Sequence, residues 1–143
     1  MPEPVEVAIN AALIARAQAF ATAQGIAISL PNIAFTPPAA GPAAKWLRAT
    51  FMPAPTATLP VGSGSDQYYG LLQLDVFYGQ GAGEYAPGRI ASQIIDHFAR
   101  GTELTKDGFT VRIHKRPYRG PLVKDDPWQM LPVTINYVCF ATA

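Results

Sequence analysis

Charge is what this chain has least of. Only 15% of its 143 residues are Asp, Glu, Lys or Arg, against roughly 25% in an ordinary soluble domain. So few charges leave little to cover a surface, which favours burial against other subunits. The charges nearly cancel, with a formal net of +1, so no overall field draws the chain to nucleic acid or to a membrane. A single cysteine, Cys139, excludes an intramolecular disulfide framework and a cysteine-based metal cluster. It falls in an expected strand over Val133–Phe140 and reads as a small buried hydrophobe. The only histidines are His97 and His114, without His-x-x-x-His or paired-carboxylate spacing, so no metal site is expected. No apolar run reaches the ~18 residues of a membrane-spanning helix. Met1-Pro2-Glu3-Pro4 lacks the basic start and apolar centre of a signal peptide, so folding in the cytoplasm is expected.

What is abundant is apolar residue (49%), with fourteen prolines and twelve glycines gathered in a few connections. Residues 4–24 read as a helix: Ile9, Leu13, Ala17 and Phe20 recur on one stripe, Pro4 suits the first turn and Gly25 stops it. Ile26–Phe35 is extended but broken by Pro31, hence irregular or an edge. Lys45–Met52 alternates as a strand, with Leu47, Ala49 and Phe51 on one side and Trp46, Arg48, Thr50 and Met52 on the other. Residues 53–67 form a long connection, and Tyr68–Tyr78 is a second strand with Leu72, Leu74 and Val76 facing the core. A second helix spans Ala86–Arg100, with Ile90, Ile94 and Phe98 as its stripe. Asp107-Gly108 turns into a strand Phe109–Lys115. A basic loop over 116–130 then leads to a last strand, Leu131–Thr142. The expectation is one domain over 1–143, α+β, with a mainly antiparallel four-stranded sheet, two helices on one face and the order α-β-β-α-β-β.

Catalytic motifs are missing. The loop Gly79-Gln80-Gly81-Ala82-Gly83 lacks the Gly-Lys-Ser/Thr ending of a phosphate-binding loop and the early parallel βαβ unit of a dinucleotide site. Asp96 and His97 are consecutive on a helix and do not face each other, so they read as a solvated face or a subunit contact. Ser63 and Ser65 lack the strand–turn–helix frame of a nucleophile elbow. No catalytic residue, cofactor or metal is expected, and an enzyme is not the reading.

An assembly surface is better supported. Gln73 and Asp75 point to the same side of their strand as Leu71 and Phe77, where a monomer does not normally place an amide and a carboxylate unless that face meets water or a partner. With Arg48, Arg112 and His114, and Thr134 or Asn136 according to the pleat, they make a mixed-charge sheet face suited to a wet, repeated interface. Arg112, Lys115, Arg116, Arg119 and Lys124 form a basic stretch followed by Asp125-Asp126. Three readings stay open for it: a solvated loop, intersubunit salt bridges, or nucleic-acid contact with Tyr118 and Trp128 stacking on bases. Arg116 and Arg119 join the candidate interface on the second of these.

The order of motifs along residues 8–138 resembles the tail terminator proteins of long non-contractile-tailed phages and prophages. It rests on Pro31-Asn32-x-x-Phe35-x-Pro37, Lys45-Trp46-Leu47-Arg48, Tyr69-Gly70-Leu71-Leu72-Gln73-Leu74-Asp75-Val76-Phe77, Phe98-x-x-Gly101-x-x-Leu104, Trp128 and Pro132-Val133-x-Ile135-x-Tyr137. The resemblance implies a structural virion protein of the tail and neck, assembled in the host cytoplasm. It would form a hexameric ring that caps the tail tube, stops its polymerisation and presents a surface for head attachment. Implied partners are further copies of itself, the tail tube protein and a head–tail connector. DNA would pass through the lumen without specific binding, and no membrane or cofactor takes part. The alternatives are a neighbouring head–tail joining or neck ring protein and, on the 112–124 stretch alone, a nucleic-acid-binding accessory factor.

Overall fold

Alanine-dense and free of internal glycine, Val5–Gln24 forms helix α1 in the computed structural model, which describes residues 4–58, 66–81 and 83–141. Its buried stripe is Ile9, Leu13, Ala17 and Phe20, with Ala8, Ala12 and Ala21 between them letting the helix lie close on the sheet. The helix ends at Gly25, which takes the left-handed φ of 67° that L side chains resist. Helix α2 spans Tyr85–His97, carries Pro87 in its first turn and buries Ile90, Ala91, Ile94 and Ile95.

The strands are β1 (Ala27–Ser29), β2 (Lys45–Pro53), β3 (Ala57–Thr58), β4 (Asp66–Gly79), β5 (Glu103–Lys106), β6 (Phe109–Ile113), β7 (Tyr118–Arg119), β8 (Val123–Asp125) and β9 (Trp128–Ala141). They form one sheet in the order β1-β2-β4-β9-β6-β5, with β3 added to β4 and with β7 and β8 added to β9. The β4–β9 ladder is its centre, paired from Asp66↔Ala141 to Gly79↔Trp128. Pro132 is tolerated in this central strand for a local reason. Its carbonyl accepts the Gly120 N–H on the side away from β4, so its missing donor faces the gap between β8, which stops at Met130, and β7, which starts at Val133.

These observations correct the expected four-stranded, mainly antiparallel sheet and its α-β-β-α-β-β order. The sheet has nine strands among the described residues and is mixed, because β1 runs parallel to β2. The missed strands are short. β3, β7 and β8 have two or three residues, and β1 has three before Pro31, too few for a period-two pattern to show. β5 is a charged edge, Glu-Leu-Thr-Lys, that forms because the Asp107-Gly108 turn folds it onto β6. Parallel pairing of β1 with β2 requires a crossover. Residues 30–44 provide it over the face opposite the helices, where Phe35 and Ala44 pack. The elements with enough length to be read, β2, β4, β6, β9 and both helices, stand close to their expected places. Ser63 and Ser65 lie outside the described residues.

One face of the sheet packs on both helices. There Leu47, Ala49, Leu72, Leu74, Val76, Val111, Ile113, Leu131, Val133, Ile135, Tyr137 and Cys139 meet the apolar stripes of α1 and α2. The helices are also tied to each other. The Arg16 guanidinium donates to the His97 carbonyl at 3.2 and 2.8 Å, and His97 Nε2 lies 2.9 Å from the Arg16 carbonyl. Since a carbonyl only accepts, that ring nitrogen carries a proton.

Candidate assembly face

Alternation along β2, β4 and β9 sends Arg48, Gln73, Asp75, Phe77 and Met130 to the outer face, away from the helices. Arg48 stands directly opposite Asp75 in the β2–β4 register. Its Nε and Nη2 donate to Asp75 Oδ2 at 3.0 and 2.9 Å, while Gln73 Nε2 donates to Oδ1 at 2.7 Å. Asp75 is 0% exposed, whereas the Arg48 side chain keeps 44% of its surface. The guanidinium also lies 4.9 Å from the Phe77 ring centre and 3.5 Å from Met130 Sδ. Both carboxylate oxygens are therefore satisfied inside the subunit, and the cation above them is still open to water or a partner.

Beside this triad the outer face is aromatic. Trp46 stacks on Phe77 with ring centres 4.0 Å apart, meets Trp128 edge-on at 6.1 Å, and is covered by Phe35 at 5.2 Å. Gly79 lets the crossover close over this end. Its N–H donates to the Ala44 carbonyl at 2.9 Å, and any Cβ there would drive into the Gly41 carbonyl.

The other candidate residues do not join the triad. Arg112 pairs with Val138 on β9, six residues beyond the Pro132 that faces Asp75, a separation of roughly 20 Å. Arg112 and His114 share a depression of about 480 Å³ with Gln67, Arg100, Gly101, Ile113, Val138 and Phe140. Burial, and then the Lys115 charge, pull the His114 pKa below the ordinary imidazole value. Arg116 is exposed in the connection between β6 and β7. Arg119 is diverted to the helix side: it pairs with core-facing Val133 and reaches Glu84 at 3.8 Å. The basic stretch is thus split between two faces.

Sequence reasoning overlooked the outer aromatic cluster and the company of Arg112. The alternation that put Trp46 beside Arg48 already placed the first of these. The second, Phe140 and Arg100 beside Arg112, depends on how α2 ends against β6 and has no local signal. Asp96 stays exposed, but His97 turns inward between Arg16, Phe20 and Phe98. Burial is the largest influence on its pKa, which is lowered; the Arg16 charge acts in the same direction and the bond to the Arg16 carbonyl against it. Among the described residues no three metal-ligating side chains converge, and no helix is long and apolar enough to cross a membrane.

The chain is thus a helix-backed sheet whose outer face carries a half-open arginine and a partly covered aromatic cluster. The chain belongs to the phage tail terminator protein family, whose profile matches residues 8–137. It is accordingly a structural protein of a phage-type tail, and its family is not a class of enzymes.

Solved structures share the fold. One, of unstated function, superposes with a TM-score of 0.78 at 27% identity over 96% of each chain. Another is a chain from the virion of a native gene transfer agent particle, with a TM-score of 0.64 at 14% identity over 96% of this chain and 98% of that one. No curated protein matches the chain.

Proposed function

We propose that this protein is the tail terminator of a long non-contractile tail: a hexameric ring that caps the last disc of the tail tube, stops its polymerisation and offers the surface on which the head is attached. The observation that carries this reading is the family match over residues 8–137, nearly the whole chain. The outer face supports it, because Tyr118 at 58%, Val123 at 43% and Phe140 at 59% exposure are large apolar groups that a lone subunit leaves in water. Its partners on this reading are other copies of itself, the tail tube protein and a head–tail connector, with assembly in the host cytoplasm and DNA crossing the lumen without specific binding. The split of the basic stretch between two faces weighs against a nucleic-acid accessory factor, which needs a continuous cationic track.

Electron microscopy of lysates from the parent phage with this gene deleted tests the proposal. Overlong tails of variable length are expected. Filled heads beside unjoined tails of normal length would move the protein to head–tail joining, and intact infectious particles would end the assembly reading.

A further inference from the structure

Two ends of the outer face carry opposite charge. At one end, the depression formed by Arg100, Arg112 and His114 has no acidic residue in its lining and has the half-exposed Phe140 ring on its wall. Glu103 lies opposite Arg112 across the β5–β6 ladder but forms no salt bridge with it. At the other end, the turn between β8 and β9 presents Asp125 and Asp126, both exposed, beside Lys124. The salt bridges among the described residues join Arg48 to Asp75 and Arg119 to Glu84, and neither end group forms one with another described residue. Their anchor positions on β9, Val138 and Trp128, are ten residues apart, or roughly 33 Å, too far for the ends to meet within one subunit.

We propose that the Asp125-Asp126 turn of one copy seats in the Arg100–Arg112–His114 depression of the next, with Phe140 as the apolar anchor. The inference rests on the ring reading above and names the contact that would build the ring. A second copy is the occupant because this chain itself supplies the complementary charge, and because its low charge content leaves few other groups to pair. The two surfaces are different, so the contact is heterologous: it repeats head to tail and closes when the rotation per copy closes. Arginine and aromatic side chains side by side are the usual carriers of interface energy, and opposed charge sets partner and register.

Charge reversal with mixing tests the contact. One variant carries Arg100→Glu and Arg112→Glu, the other Asp125→Lys and Asp126→Lys; all four side chains are exposed, and thermal melts check that both variants fold as the parent does. Each variant alone juxtaposes like charges and should lose self-association by about tenfold or more. Together they pair each reversed depression with a reversed turn and each native depression with a native turn, so an alternating ring forms. Sedimentation velocity on the separate and mixed proteins, and tail lengths in cells lacking the native gene but expressing one variant or both, give the readout. Assembly and uniform tails only with the mixture support the contact. Wild-type behaviour of either variant alone, or no recovery on mixing where the wild type assembles, overturns it and leaves the ring reading standing. If the wild type fails to set tail length, the ring reading falls, and the contact is judged on sedimentation, where absence of mixed association overturns it.

Discussion

Arg48 and Asp75 face each other across the β2–β4 ladder, and a single carboxylate oxygen, Asp75 Oδ2, takes two guanidinium bonds at 3.0 and 2.9 Å. The pair is asymmetric, with the anion wholly buried and the cation nearly half exposed. Its worth falls between an exposed pair, at most about 1 kcal/mol, and the 3–5 kcal/mol lost when a fully buried pair is broken.

Arg48→Met should therefore destabilise the subunit by about 2 kcal/mol, since Asp75 remains buried with only Gln73 to bond it. Arg48→Met combined with Asp75→Leu should recover most of that loss, because no charge is then stranded. Urea melts of the two variants decide it: a single variant as stable as the parent would mean that the pair contributes nothing.

Gly79→Ala should cost about 1–3 kcal/mol as an overpacking substitution. The new methyl group would push the Gly41–Ala44 segment off the outer aromatic cluster, so tryptophan emission from Trp46 and Trp128 should shift to the red. Gly41→Ala, with open space around the added Cβ, should stay within about 0.5 kcal/mol of the parent. Equal effects at the two positions would contradict the close approach.

Acidification should loosen the helix layer. The folded His97 pKa lies below the ordinary imidazole value because the ring is desolvated between the helices, while in the unfolded chain it titrates near ~6.5. The unfolded state then binds more protons as pH falls below about 6.5, so the contribution is complete above that pH and declines beneath it. His114 acts with the same sign, and its exposure makes its effect the smaller. Melting temperatures between about pH 7.5 and 5.5 should fall for the parent and flatten in His97→Gln. Parallel curves would show that the imidazole takes no part.

Cys139 is 1% exposed, and burial raises its thiol pKa. A thiol reagent should react with it at the rate of opening of the β4–β9 ladder and much faster in denaturant. Immediate reaction in the native protein would contradict its core position.

How legible the fold was in the sequence depended on the length of each element. Leu72, Leu74 and Val76, or Ile9, Leu13 and Phe20, repeat often enough to declare a period, and all are buried. Ala27–Ser29 and Tyr118–Arg119 hold no period, and they are strands because β2 and β9 offer them backbone partners. Tertiary context likewise decided the candidate site. Arg48, Gln73 and Asp75 share a face because alternation is local, and the β2–β4 register then sets Arg48 opposite Asp75, whereas Arg119 left the group when its two-residue strand paired with Val133. His97 turned inward because the Arg16 carbonyl was there to receive it.

The β4–β9 pairing has a mechanical consequence. Fourteen consecutive rungs run from Asp66↔Ala141 to Gly79↔Trp128, a girder roughly 45 Å long, to which β2, β6, β7 and β8 are riveted. Tension along these strands loads every rung in shear at once, whereas a crosswise pull would unzip them one by one. Along its long strands the subunit is therefore held by all fourteen rungs together.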